Sequence, residues 1–338
     1  MNLKRWIFCI ALACWILTAH PAAAQLSQHQ PPAPASATPY KFKAAAEHPA
    51  FEWFFLIVDA GKDQGIWAKN GIEPEFVPTA GSSAQLKERL DAGVKIGLVN
   101  TAEVTLARAN GVPVKTVAGY FGETTARIFV AAKGPIKMPR DLEGKKIGIL
   151  ATTHTSYRTV MYMNQKLGIK AEPVPLGSLA NNLAALKSGQ IDAFYSAEGA
   201  ALPLVDSGDL RLLLPLRDIY PNPYTAVVVW TADDWIEHNP DLVARFVKAT
   251  LETVSYLKEH PGYASALYIK RTNASQAVAD KAVASLNQVL TAGGRGSGRD
   301  LVAAVAGNWK FMTESGAVPA GMTVKIDEAV DSRFLPTQ

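Results

Sequence analysis

The sequence predicts an α/β protein made of two similar lobes, and three observations carry that reading. From Tyr40 onward, short apolar runs alternate with longer amphipathic stretches, the rhythm of strands and helices in turn. The chain also repeats itself: Gly-Ile-x-x-Glu-x-Val-Pro occurs at 71–78 ("GIEPEFVP") and at 168–175 ("GIKAEPVP"). An apolar strand ending in a hydroxyl-Ala-Glu step occurs at 96–103 ("IGLVNTAE") and again at 191–198 ("IDAFYSAE"). The two offsets are 97 and 95 residues, which fits two copies of one design in the same order. Finally, about 300 residues remain after an N-terminal leader, a length that favours two domains over one core.

The leader comes first. Lys4 and Arg5 precede an apolar run from Trp6 to Leu17, and Ala22-Ala23-Ala24 sets small residues before Gln25. This is the pattern of a secretion signal, so cleavage between Ala24 and Gln25 and export of the mature chain are expected. The run is short for a membrane span. A lipoprotein signal centred on Cys14 is the alternative, but Ala11-Leu12-Ala13-Cys14 fits it poorly and the apolar run continues past it. Both cysteines, Cys9 and Cys14, lie within residues 1–24, so the mature chain has no disulfide, thiolate metal site or cysteine nucleophile. Residues 25–39, rich in Pro, Ala, Ser and Gln, read as a disordered leader. Without Lys4 and Arg5 the chain has 32 basic and 30 acidic residues, and no basic run suggests nucleic acid or a membrane surface. No second segment of about 20 apolar residues follows, so a soluble mature chain is expected.

Strands are predicted at Tyr40–Ala45, Pro74–Val77, Ile96–Val99, Val114–Ala118, Lys146–Leu150, Glu172–Pro175, Ile191–Tyr195, Leu210–Leu214 and Ala226–Trp230. After Asp233 the pattern is almost all helical, through Asp241–His260, Ser275–Thr291 and Arg299–Ser315. On the repeat template the loop "AEHPAFEWF" (46–54) of lobe one corresponds to "ATTHTSYRT" (151–159) of lobe two. Ligands of open α/β sheets sit beyond the carboxyl ends of strands, so these loops and the two hydroxyl-Ala-Glu steps should face a shared cleft.

The candidate ligand contacts follow from that placement. Thr152, Thr153, His154, Thr155 and Ser156 offer hydroxyls and an imidazole at a helix start, where backbone N–H groups suit an oxyanion or carbonyl; helix capping is the plain alternative. His48, Phe51 and Glu52 belong to the matching first-lobe loop, and Gly81 and Ser82 follow the second strand. Asn100, Thr101 and Ser196 close strands at helix starts; Glu198 is either a first-turn charge or a partner for ligand N–H donors. Tyr120, with Trp53, Phe121, Tyr157 and Tyr195, supplies aromatic surface near strand ends, and Arg127 and Arg158 could pair with an anion. The five histidines after residue 24 contain no i, i+4 pair, so no metal is expected, nor any other cofactor. "GGRGSGRD" (293–300) follows a helix and lacks Lys-Ser/Thr, so it reads as a turn and not a phosphate cradle. No Gly-x-Ser-x-Gly elbow or Ser/His/Asp set can be placed.

Several stretches resemble the periplasmic solute-binding proteins of the sulfonate/nitrate/taurine and thiamine-pyrimidine-precursor type (the SsuA/THI5-like, NMT1 family). They are "WFFLIVDAGKDQGIWAKNGIEPEFVP" (53–78), "LKERLDAGVKIGLVNTAEVTLARANGVPVKTVAGY" (86–120), "GPIKMPRDLEGKKIGIL" (134–150) and "LAALKSGQIDAFYSAEGAALPLVDSG" (183–208). The resemblance covers about residues 40–260. It implies a two-lobed type II periplasmic-binding-protein fold with a hinge, and a monomer that delivers a small solute to an ABC permease in the inner membrane. The hinge is expected as two crossings, near 122–132 and 221–229. Lobe one would then be 40–122 plus 226–338, and lobe two 123–225. The second-lobe step of the family often carries an aromatic residue and a Pro, where this chain has Ser196-Ala197-Glu198-Gly199. The cysteine-rich motif of the yeast pyrimidine-synthesis relatives is missing, which argues against carrying their enzyme activity over. Aromatic and acidic residues near the loops point to an organic ligand, sulfonate-like or pyrimidine-like, over an inorganic ion. The competing readings are a ligand-sensing module for a membrane receptor, and a periplasmic enzyme using His154 with Glu52 or Glu198.

Overall fold

A computed structural model describes residues 38–47, 54–79, 83–152, 154–221, 223–290 and 299–336. The signal, most of the leader, His48, Phe51, Glu52, Gly81, Ser82, Thr153 and residues 291–298 of the glycine-rich turn lie outside the described residues. Strands β1 (Tyr40–Glu47), β2 (Ile72–Thr79), β3 (Ile96–Asn100) and β4 (Val114–Phe121) are linked by helices α1 (Phe54–Asp63), α2 (Ile66–Lys69), α3 (Ser83–Asp91) and α4 (Thr101–Ala109). A second set follows: β5 (Ala126–Ala131), β6 (Lys146–Ile149), α5 (Thr155–Leu167), β7 (Glu172–Pro175), α6 (Leu179–Ser188), β8 (Ala193–Ala197), α7 (Glu198–Asp206) and β9 (Leu210–Pro215). After them come β10 (Val227–Ala232), α8 (Asp233–His238), α9 (Pro240–Glu259), α10 (Pro261–Thr272), α11 (Gln276–Val289), α12 (Arg299–Glu314) and α13 (Ile326–Ala329).

The strands form two five-stranded sheets, ordered β2-β1-β3-β10-β4 and β7-β6-β8-β5-β9. Place for place, the two orders match. The repeated Gly-Ile-x-x-Glu-x-Val-Pro segments give the edge strands β2 and β7, where Pro74, Pro78, Pro173 and Pro175 interrupt no interior ladder. The hydroxyl-Ala-Glu segments give the central strands β3 and β8. In each sheet the antiparallel strand, β10 or β5, is the one that has just arrived from the other sheet. Two mixed α/β lobes therefore share one topology and exchange the chain twice, once between β4 and β5 and once between β9 and β10.

The first connection is shorter than the sequence suggests. Residues 122–132 read as a linker, but Ala126–Ala131 is a strand in the body of the second sheet. Arg127 interrupts its apolar run, and a strand covered on both faces shows no alternation to betray it.

Each lobe carries core on both faces of its sheet. In the first, Ile57, Trp67, Val229 and Phe246 gather on one side, and Leu86, Val104 and Trp230 on the other. In the second, Ile128, Ile147 and Tyr162 oppose Phe129, Phe194 and Leu210. Helix α9 shows why these helices form. Pro240 sits in its first turn, and Val243, Phe246, Val247, Thr250, Leu251, Val254 and Leu257 recur at three- and four-residue steps on one buried stripe.

The C-terminal segment serves both lobes. Leu301 and Val305 of α12 enter the first-lobe core, while Phe311 and Met312 at its other end join the second-lobe core with Val318. The chain then returns: Val330 bridges Thr116 of β4, and Phe334 and Leu335 are buried in the first lobe. Midway, Gly307 lies against the second connection, where a Cβ would stand 1.9 Å from the carbonyl oxygen of Pro223.

Candidate functional site

A cavity opens between the lobes at the carboxyl ends of the central strands. Lobe one contributes Phe54 at the start of α1, Asn100 at the end of β3 and Phe121 at the end of β4. Lobe two contributes His154 and Thr155 at the start of α5 and Tyr195 of β8. The connections supply the rest: Thr124, Thr125 and Ala126 from the first, Tyr224, Ala226 and Val227 from the second. The free space is about 30 Å³, room for one or two waters.

The two connections lie side by side. The Ala226 N–H and the Thr225 hydroxyl both donate to the Phe121 carbonyl at 3.0 Å. They also cap the helices that point at the cavity. The Thr101 N–H of α4 donates to the Ala226 carbonyl, and the Glu198 N–H of α7 to the Thr125 carbonyl, each at 3.0 Å.

At α5 the cap is a histidine. The Ser156 N–H donates to His154 Nδ1 at 3.0 Å, so the proton of the neutral ring sits on Nε2. Burial lowers the His154 pKa to about 4, and the charge of Arg158 acts in the same direction. The imidazole is therefore uncharged at neutral pH. Ser156 is fully buried; its Oγ accepts the Leu150 N–H at 3.1 Å and lies 3.0 Å from His154 Nδ1, tying the end of β6 to α5.

Two arginines stand behind the lining, and each has a glutamate. Arg158 Nη2 donates to Thr155 Oγ1 at 3.0 Å and reaches Glu103 Oε1 of α4 at 3.4 Å, across the cleft. Arg127, 1 % exposed, donates through Nη1 to the Thr124 and Ala126 carbonyls at 3.0 Å and through Nη2 to Glu198 Oε2 at 2.8 Å. Burial lowers the Arg127 pKa and Glu198 pulls it back up. Glu198 also accepts from the Ser285 hydroxyl of α11, joining the lobes on a second flank. Lys281–Asp206 at 2.6 Å, Arg217–Gln288 at 3.1 Å and the Tyr268 hydroxyl on the Gly199 carbonyl add to that flank.

Of the residues predicted from sequence, Asn100, His154 and Thr155 line the cavity, as does Tyr195. Thr101 and Tyr120 are fully buried, Ser196 lies beside Arg127 in the sheet, and Thr152 is exposed. Sequence reasoning missed the lining from both connections. A signal exists: "TTARIFVAA" (124–132) and "YTAVVVWTA" (224–232) share Thr-Ala, three apolar residues and a final Ala at an offset of 100. They are the two antiparallel strands with the turns that enter them.

Among the described residues no group of three acidic, histidine or cysteine side chains could hold a metal, and no helix is long and apolar enough to cross a membrane.

Comparison with known proteins agrees with this architecture. The alkanesulfonate-binding protein SsuA of Xanthomonas axonopodis pv. citri, solved with MOPS, superposes with a TM-score of 0.70 at 17% identity, over 87% of this chain and 99% of that one. The desulfurization enzyme DszB shares the fold more distantly, with a TM-score of 0.60 at 16% identity over 88% and 97% of the two chains. These likenesses show the two-lobed periplasmic-binding-protein fold. The riboflavin-binding protein RibY of Chloroflexus aurantiacus is 25% identical over 172 residues, 50% of this chain and 48% of RibY, so the match spans about half the length of that relative. The profile described as NMT1/THI5 like matches residues 55–264. By that match, which takes in β2 to β10 and both connections, the chain belongs to the NMT1/THI5-like family.

Proposed function

We propose that the chain is an exported solute-binding protein that holds a small organic molecule between its lobes and presents the closed form to an ABC permease. The observation that carries this is the placement of the cavity. It straddles both connections at the strand ends of two like lobes, and its lining is of aromatic rings, hydroxyls and an amide. The rigid units are 40–122 with 226–338, and 123–225, the part of the last segment around Phe311 and Val318 being seated on the second. The names of the relatives, an alkanesulfonate-binding and a riboflavin-binding protein, support a soluble organic ligand. We read the cleft as holding its ligand unchanged. His154 Nδ1 is engaged by its own helix and Glu198 by Arg127 and Ser285, which leaves neither placed as a base for the other. Export follows from the leader, with cleavage between Ala24 and Gln25.

A thermal-shift and calorimetric screen of alkanesulfonates, pyrimidines and flavins tests the reading. A ligand at about 100 times its Kd stabilises the fold by roughly 2.7 kcal/mol. Thr155→Ala is expected to weaken that ligand several-fold by removing a lining hydroxyl worth about 1 kcal/mol. Ser156→Ala, behind the lining, is expected to lower stability by about 1 kcal/mol and leave affinity nearly unchanged. Release of a modified ligand, or loss of affinity in Ser156→Ala alone, would count against it.

A further inference from the structure

We infer that this cleft selects an uncharged, ring-bearing ligand, and that Glu103 and Glu198 set that selectivity by neutralising the two arginines behind its lining. The inference rests on the reading of the cleft as a ligand site and narrows it to a chemical class.

Four observations carry it. First, no lysine, arginine, aspartate or glutamate is among the described residues lining the cavity. Second, each of the two nearby arginines is paired with a glutamate. Arg127 spends Nη1 on two backbone carbonyls and Nη2 on Glu198; Arg158 spends Nη2 on Thr155 and Glu103. Third, one backbone donor at each of the three helix starts is already engaged. The Thr101 N–H, the Glu198 N–H and the Ser156 N–H already donate to Ala226, Thr125 and His154. Glu103 and Glu198 themselves sit in the first turns of α4 and α7, where their charge answers the helix dipoles. Fourth, what remains on the lining is neutral. Phe54, Phe121, Tyr195 and Tyr224 offer ring faces and edges, and Asn100, Thr124, Thr125, His154 and Thr155 are polar but uncharged.

An anion entering this cleft as it closes would lose its water without meeting an uncommitted cation, a transfer that burial penalises strongly. A flat neutral ring with carbonyl or amino groups loses little and gains the aromatic walls. The hydroxyl-Ala-Glu step of each lobe thus ends in a glutamate that cancels an arginine, one across the cleft and one within lobe two.

The test is a set of matched pairs on the full mature chain by calorimetry at pH 7: uracil and orotate, benzenesulfonamide and benzenesulfonate, riboflavin and its 5′-phosphate, with MOPS as an aliphatic-sulfonate control. The neutral member of at least one pair is expected to bind tenfold or more tighter than its anionic partner. An anion that binds as tightly as its partner, or binding by MOPS alone, overturns this inference and leaves the ligand-binding reading standing. Binding by no compound in these pairs or in the wider screen overturns both. Glu198→Gln keeps the shape and the Ser285 contact but restores a net charge at Arg127. It is expected to narrow the neutral-to-anion ratio by about tenfold, with folding checked by circular dichroism. A folded Glu198→Gln with an unchanged ratio removes Glu198 as a determinant. Should that variant not fold, the wild-type pairs still decide.

Discussion

His154 does at the residue level what Ser, Thr, Asp or Asn usually does at the start of a helix, and it does so only while uncharged. That makes the fold pH-dependent with a definite sign. In the unfolded chain the ring titrates near 6.5; in the fold burial holds it at about 4. Between these values the unfolded state binds the extra proton, so stability is whole above about pH 6.5 and falls as pH drops towards 4, by at most about 3 kcal/mol. Urea midpoints from pH 4 to 7.5 should show this limb in the wild type and lose about one proton's slope in His154→Gln. Equal slopes would mean that the ring takes up its proton without disturbing the cap. The loop around His154 was visible in the sequence as a run of hydroxyls past a strand. The division of labour within it was not. Thr155 turns to the cavity and Ser156 into the fold because successive helical residues point about 100° apart, and that rotation is fixed only once α5 packs.

Among the elements, α12 is the one whose role the sequence conceals. Its period announces a helix over Arg299–Ser315, but an apolar stripe does not say which core it feeds, and this one feeds two. Gly307 marks where it rests on the second connection, since any Cβ there would meet the Pro223 carbonyl. Gly307→Ala should therefore cost about 1–3 kcal/mol by overpacking. Gly262→Ala, in α10 with open space around it, should be neutral or gain up to about 1 kcal/mol of helix propensity. Denaturant melts of the two variants side by side test the seating; a Gly307→Ala as stable as wild type would mean that α12 does not bear on the connection. Strand β5 is the matching lesson for sheets. Its sheet neighbours β8 and β9 were legible as apolar runs, whereas Arg127 disguised it, and the charge is tolerated there only because Glu198 and two carbonyls receive it.

For the whole molecule, the lobes meet on both flanks of a cavity of about 30 Å³, while a ring ligand needs a pocket of about 300 Å³ or more. On the proposed reading, entry of such a ligand would part the Glu103–Arg158 and Glu198–Ser285 contacts, with bending near the two connections between the lobes. Small-angle scattering should report a smaller radius of gyration with a saturating ligand than without it. Superimposable profiles with a ligand proven to be bound would exclude closure of this kind. The two-lobe design was legible because duplicated segments occupy duplicated sheet positions. The contacts between the lobes were not, because they are made by side chains that are far apart in sequence, such as Tyr268 with Gly199 and Lys281 with Asp206.

The path of the last segment also bears on how the chain is made. The first sheet lacks β10 until everything up to Ala232 has been synthesised, and the second-lobe core lacks Phe311, Met312 and Val318 until nearly the end. Neither half can reach its final packing while the nascent chain is still emerging, because each borrows from residues translated later. Contacts so distant along the chain are slow to form. A polypeptide built this way completes both of its cores only when nearly all of it has been made.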